Sequence, residues 1–230
     1  MSKIDFKNID LIILDFDGPI NNLSQAKVLT FKSFFQLFGI KIKRKILMQI
    51  VNYIDQFWET EKNIDYRQIL KFTFRKIKSQ NLLKISKKQE RYFIKNYTNF
   101  LEKNQRCNKA LIKLIQKIKN RHKNIKICIY SAQTKLYIRK FLYKFKINPH
   151  LFDAIYTGES FNEPKPSIKN LEIICKELKV LPHKTLIIGD NVVIDLMPAK
   201  LLGMKTILYS KMVDKLIRSN QELRQLSAKI

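Results

Sequence analysis

The rhythm of apolar and polar positions changes twice along the chain. Residues 9–15, Ile9-Asp10-Leu11-Ile12-Ile13-Leu14-Asp15, form a short apolar run closed by an acid, followed by Asp17-Gly18-Pro19. So short a run, without polar alternation, predicts a strand buried on both faces and then a break. From about residue 22 to 105 helical spacing takes over. Val28, Phe31, Phe34, Phe35 and Phe38 share one face, and Ile46, Leu47, Ile50, Val51 and Ile54 share another. Ile69, Leu70, Phe74 and Ile77 come next, then Tyr92, Phe93, Tyr97 and Phe100 behind a possible capping box at Ser86-x-x-Gln89. This region predicts a bundle of four or five helices.

After residue 106 the periods alternate. A helix over Lys109–Asn120 precedes a strand over Ile125–Tyr130 that ends at Ser131. Thr134 opens a second helix, and a short strand Ala154–Thr157 leads to a loop holding Pro164 and Pro166. A helix near 167–178 then precedes the strand Lys184–Asp190. A short helix to Leu202 with Gly203 as its cap, a strand Lys205–Tyr209 and a last helix from Val213 complete the pattern. Strands alternating with helices predict an α/β fold with a parallel sheet and right-handed crossovers.

Composition narrows the class. The 230 residues carry 15 Phe, 9 Tyr and one Trp, and 45% are apolar, enough for a packed core. Five Gly and six Pro leave little room for a many-turned all-β fold. Cys107, Cys128 and Cys175 are odd in number and widely spaced, which excludes a disulfide framework and a four-thiolate zinc site. No segment is long enough to span a bilayer, and the first residues lack the apolar run of a secretory signal. The expectation is a soluble cytoplasmic protein in a reducing compartment, without a membrane partner.

The net charge of +26 invites a polyanion. Residues 21–106 hold 19 basic and 6 acidic residues, so charge is densest in the helical region. Most lysines, however, interleave with apolar positions at helical spacing, and the chain is rich in Lys, Ile and Asn together. The charge therefore reads as solvated helix faces, with only weak, sequence-independent nucleic-acid binding expected.

Chemistry collects where the strands end. In an open parallel sheet, ligands sit beyond the carboxyl ends of the strands, and there the chain places Asp15 and Asp17, then Ser131, then Asp190 and Asp195. Lys165 lies in the loop before the helix at 167–178. In an extended chain residues i and i+2 point the same way, about 6–7 Å apart, so Asp15 and Asp17 could flank one reacting phosphorus as nucleophile and proton donor. Gly18 lets the chain turn at once. Mg²⁺ takes few carboxylates alongside substrate phosphate, which suits Asp15 and Asp190. Lys165 would offset charge, and Ser131 would donate to a phosphoryl oxygen. Each feature alone is a common turn or loop; their ordered combination carries the signal.

With these residues in view, the sequence resembles the haloacid dehalogenase superfamily, in the phosphoglycolate phosphatase-like branch with a helical cap inserted after the first strand. Leu14-Asp15-Phe16-Asp17-Gly18 resembles its first motif, Ile129-Tyr130-Ser131 its second and Glu163-Pro164-Lys165-Pro166 its third. Ile188-Gly189-Asp190-Asn191 through Asp195 resembles the fourth. The resemblance implies a Rossmann-like core over residues 1–20 and 107–230 with an all-helical cap at 21–106. It also implies an aspartyl-phosphate on Asp15, Asp17 as general acid/base, and Ser131 and Lys165 holding the phosphoryl group. Mg²⁺ would be bound by Asp15, the backbone carbonyl of Asp17 and Asp190, with Asp195 in support. Family members that cleave carbon–halogen bonds lack the second acid, so Asp17 favours phosphoryl chemistry. Pro19, Ser167-Ile168 and Asn191 depart from the commoner residues at their positions without removing a catalytic group.

The expected function is a Mg²⁺-dependent phosphatase acting on a small phosphorylated metabolite. A sugar phosphomutase of the same branch is one alternative; a non-catalytic or nucleic-acid-associated module that keeps the fold is another. Trp58 with Tyr53 and Phe57 could line a substrate pocket, although an aromatic helix face is more often packing. His122, His150 and His183 read as loop histidines, and Cys128 as core. Substrate and oligomeric state are not encoded in any motif.

Overall fold

The structure, a computed structural model, describes residues 8–60 and 65–209, with the side chains of 58–60 set aside. The helix predicted from Val213 and the side chain of Trp58 lie outside the described residues. The chain divides into two compact units, Met1–Asn22 with Cys107–Ile230, and Leu23–Arg106.

The first unit is built on a parallel sheet. Its strands are β1 (Leu11–Leu14), β2 (Lys126–Tyr130), β3 (Ala154–Tyr156), β4 (Thr185–Gly189) and β5 (Lys205–Leu208), in the order β3-β2-β1-β4-β5. β1 is central because it is buried on both faces, as its unbroken apolar run requires. Ile12 and Leu14 join Ile127 and Ile129 in a core against α5 (Lys109–Arg121) and α6 (Lys135–Lys144). Leu11 and Ile13 join Cys128 and Ile187 in the opposite core, against α7 (Ile168–Glu177) and α8 (Met197–Leu201). The alternation is the period of two of an extended chain read on a sheet covered twice.

Strand register brings the strand ends level. Leu14 pairs with Ile129 of β2 and Ile188 of β4, so Asp15, Ser131 and Asp190 emerge at one edge. The chain runs from β1 to β2 on one side and returns to β4 on the other, so this edge is also where strand order reverses, the usual ligand crevice of such sheets.

The second unit contains α1 (Leu23–Leu37), α2 (Arg44–Thr60), α3 (Tyr66–Ser79) and α4 (Lys87–Asn104). The Ser86–Gln89 capping box forms in both directions, at 3.2 and 2.9 Å. Phe31, Phe34, Phe74 and Phe93 are fully enclosed, with the Phe93 ring 4.4 Å from Phe34 and 4.7 Å from Phe31. Burying each such ring contributes about 1.5–3 kcal/mol, which is how a unit this basic folds. Tyr92 differs from its sequence reading: it is 43% exposed and meets Phe38 edge-on rather than entering the core. Tyr53 is tied to Gln49 and Gln80, and Phe57 stacks on Phe72, so both rings serve packing within this unit.

Asn21 stays with the sheet. It bridges to Asp17 on one side and to Cys107 on the other, and the Asn108 N–H donates to the Ile20 carbonyl. The segments leaving and re-entering the sheet unit are thereby joined beside the end of β1.

Candidate active site

The end of β1 makes the site. The Asp15 N–H donates to the Ile188 carbonyl, continuing the ladder one residue past the strand, and fixes the Asp15 side chain at the sheet edge. The chain then turns tightly: the Gly18 N–H reaches the Asn21 carbonyl, and the Ile20 and Asn21 N–H groups reach the Phe16 carbonyl. None of these bonds needs a donor at position 19, which is why Pro19 fits. Gly18 takes φ +96° and lies so close to Asp190 that a Cβ there would stand 2.0 Å from Oδ2. At the end of β4 the same device recurs. A Cβ on Gly189 would stand 2.5 Å from the Asp195 side chain, so glycine is what lets Asp195 pack under the site.

Asp195 is carried by a π-helical turn, Val192–Leu196, a form frequent at functional sites. The Asn191 side chain accepts from the Val193 and Ile194 N–H groups, and the Asn191 backbone N–H donates to Asp195 Oδ2 at 3.2 Å. Asn191 thus both starts the turn and aims its acid.

Lys165 enters from the loop before α7. Its Nζ lies 2.9 Å from Asp15 Oδ1 and 2.9 Å from Asp195 Oδ1, and 4.3 Å from the centre of the Tyr130 ring. The loop is anchored by Asn170, whose amide donates to Tyr130 Oη and to the Glu163 carbonyl, and by Ser167 Oγ donating to Glu163. Burial alone would lower the Lys165 ammonium, but the Asp15 and Asp195 carboxylates outweigh it and hold the group protonated, above the ordinary lysine range.

The acids show the reverse effect. Burial pushes the Asp15 carboxyl above the usual carboxylate range, against the pull of Lys165, and the Asp195 charge adds to the rise. Asp190 is raised to about 6, by loss of surrounding water and then by the Asp195 and Asp17 charges. Lys165 pairs with Asp15 and Asp195, and the Asp190 and Asp17 carboxylates add further negative charge beside them. Oxygens of Asp15, Asp190 and Asp195 lie within 4.8 Å of one another. A hard divalent cation fits this donor set, because only added positive charge lets these acids ionise together and still admit an anion.

Ser131 comes directly after β2 and is buried; its Oγ accepts from the Gln133 N–H at 3.1 Å, which leaves its hydroxyl proton for another acceptor. Asp17 is held from both sides: Asn21 Nδ2 donates to Oδ1 at 2.8 Å and Gln133 Nε2 to Oδ2 at 2.6 Å.

The structure therefore brings Asp15, Asp17, Ser131, Lys165, Asp190 and Asp195 to one edge. The sequence reading missed Asn21, Gln133 and Asn170 as partners of these residues, and Tyr130 as the ring against Lys165. Amides have no characteristic spacing, although each of these follows a motif closely: Asn21 after Gly18, Gln133 after Ser131 and Asn170 after Pro166. His122 caps the end of α5, while His150 and His183 sit in short 3₁₀ turns, away from any metal grouping found among the described residues.

Comparison with known proteins agrees with this architecture. The sequence profile of the haloacid dehalogenase-like hydrolases matches residues 12–209. No protein of curated function matches the sequence. Among solved structures, YfnB of Bacillus subtilis, named as a HAD-hydrolase and solved with magnesium, is 17% identical with a TM-score of 0.66, covering 87% of this chain and 86% of its own. A Haemophilus somnus protein, named a phosphoglycolate phosphatase by prediction, is 17% identical with a TM-score of 0.61 over 88% and 87% of the two chains. A Thermotoga maritima protein named for β-phosphoglucomutase is 14% identical with a TM-score of 0.63 over 96% and 100%. At these identities the likeness is one of fold.

Proposed function

Because the chain belongs to the haloacid dehalogenase-like hydrolases, we propose that it is a Mg²⁺-dependent phosphatase hydrolysing a small phosphorylated metabolite through an aspartyl-phosphate on Asp15. The observation that carries this reading is the buried Lys165 ammonium shared by Asp15 and Asp195, with Asp17 fixed beside them by two amide donors. In this reading Asp15, held against the ammonium, is the nucleophile, and Asp17, held by the two amides, carries the proton.

In this reading an Asp15 carboxylate oxygen attacks phosphorus, and the phosphorus–ester oxygen bond breaks. The departing oxygen takes the proton of Asp17 and leaves as an alcohol. A water then attacks the acyl-phosphate phosphorus, returns a proton to Asp17, and inorganic phosphate leaves with Asp15 restored. Lys165 and the Ser131 hydroxyl bind phosphoryl oxygens throughout. Asp15, Asp190 and the Asp17 carbonyl would hold Mg²⁺, with Asp195 in support. When bound, the ion supplies charge that offsets repulsion between Asp15 and the phosphate dianion.

Residues 23–106 serve as the cap in this reading, two positions later than the sequence reading began it, since the insert leaves and re-enters the sheet unit beside Asp17, through Asn21 and Cys107. Substrate choice would then reside in the helices, and a cap that shields the intermediate from water suits small esters rather than polymers. No helix among the described residues is long and apolar enough to cross a membrane.

Phosphate release from an aryl phosphate, with and without Mg²⁺, and then a screen of phosphorylated metabolites, tests the proposal. Metal-dependent release is the expected result, and no release from any ester would overturn it. Transfer of phosphate to a second sugar hydroxyl instead of water would assign the mutase alternative.

A further inference from the structure

Gln133 and Asn21 use their amide groups on one carboxylate. Asn21 is fully buried, and its Nδ2 donates to Asp17 Oδ1, while its own Oδ1 has no partner. An unsatisfied buried acceptor costs about 1–3 kcal/mol. Turning the amide over would place oxygen against the Asp17 carboxylate, so the donor is held there at the acceptor's expense. The same Nδ2 stands 3.5 Å from Tyr137 Oη, so the amide is turned with its donors toward Asp17 and the tyrosine hydroxyl.

Gln133 completes the arrangement from α6's approach. Its Nε2 donates to Asp17 Oδ2 at 2.6 Å while its backbone N–H donates to Ser131 Oγ at 3.1 Å. A single half-buried residue thus touches both the hydroxyl expected at the phosphoryl group and the acid expected at the leaving group. Its backbone position is set by Ser131, and its side chain transfers that position to Asp17.

We propose that Gln133, with Asn21 opposite, is a positioning residue that fixes the Asp17 carboxyl in the orientation from which it protonates the leaving oxygen. The inference rests on the phosphatase reading and extends it to residues outside the four motifs. It specifies a signature. Protonation matters when the departing oxygen is a poor leaving group, such as an alkoxide, and little when it is a nitrophenolate. Losing the Gln133 donor therefore slows alkyl esters selectively, whereas a general disturbance of the site slows both.

The test compares wild type and Gln133→Met, a substitution of similar length without a donor, on an alkyl phosphate and on p-nitrophenyl phosphate at saturating Mg²⁺. General acid catalysis contributes roughly 10²–10⁴-fold, so a misaligned acid is expected to lower kcat on the alkyl ester at least about tenfold. The change on the nitrophenyl ester should stay under about threefold, with KM little altered for either, because binding is left to Ser131 and Lys165. Equal losses on both esters, or none, overturn the inference while leaving the phosphatase reading intact. A wild type inactive on every ester overturns both. Gln133 is half-buried, so folding is expected to survive; if Gln133→Met unfolds early, Gln133→Leu, which also lacks a donor, is measured in its place against the same criterion.

Discussion

Gly18 and Asp190 meet at the edge of the sheet, with no room between them for a methyl group: a Cβ on Gly18 would lie 2.0 Å from Asp190 Oδ2. The tight turn after β1 and the acid after β4 are therefore one steric unit. Gly18→Ala also strains the backbone, because φ is +96° there. We expect a loss of about 1–3 kcal/mol in stability from the strained residue and displacement of Asp190. Mg²⁺ titration by calorimetry should show weaker binding; unchanged affinity would show that Asp190 is not a ligand.

Asp15→Asn should abolish turnover, since an amide is a poor nucleophile, while Asp17→Asn should retain attack and lose leaving-group protonation, worth about 10²–10⁴-fold. Rapid quench with labelled substrate checks both, with labelled protein expected only where Asp15 remains. Comparable hydrolysis by purified Asp15→Asn would falsify the aspartyl-phosphate mechanism.

Lys165 is the sole ammonium ion-paired to Asp15 and Asp195 among the described residues. Lys165→Met leaves two neighbouring buried carboxylates without it, and removing one partner of a buried pair typically costs about 3–5 kcal/mol. Urea unfolding should show a loss of that order in chelator and a smaller loss in Mg²⁺, because a cation can replace part of the missing charge. An equal loss in both conditions would argue that no ion binds beside Asp15.

Metal binding should be linked to protons. Asp15 and Asp190 both sit above the usual carboxylate range without metal, Asp190 at about 6. Ligation needs the ionised form, so protons must leave as Mg²⁺ enters. Apparent affinity is then expected to weaken as pH falls, first as Asp15 takes up a proton near about 8 and further as Asp190 does near about 6, and to level off above that range. Calorimetry in buffers of different ionisation enthalpy reads the proton release directly. Asp190→Ala should reduce both affinity and proton release, and Ca²⁺, with its looser coordination, should support turnover poorly.

Phe93 joins the helices of the second unit through Phe31 and Phe34. Phe93→Ala should cost about 3–5 kcal/mol, as for other large-to-small changes in a core. Thermal unfolding monitored by circular dichroism should show the helical signal lost earlier, and an unaltered transition would mean that the ring cluster adds little.

The sequence by itself determined the periods. Seven residues, mostly apolar and ending in Asp15 before a glycine turn, pointed to a doubly covered strand, and the faces carrying Phe31, Phe34, Phe74 and Phe93 came from 3.6-residue spacing, because burial imposes the geometry of each element on its own residues. Motif order also pointed to the six residues that gather at the sheet edge, since five stand at a strand end or in an adjoining loop and Asp195 in the helical turn just after β4. Tyr92 escaped because periodicity marks a face without saying how far the neighbouring helix covers it. What only the tertiary structure decided was pairing across distance. That Gln133 reaches Asp17, that Asn21 gives its amide to the same acid, and that Tyr130 lies against Lys165 depend on the register of β1 with β2 and on loop paths. Hydrogen bonds of this kind leave no spacing in the chain: the two partners need only meet in space, and 116 positions separate Gln133 from Asp17.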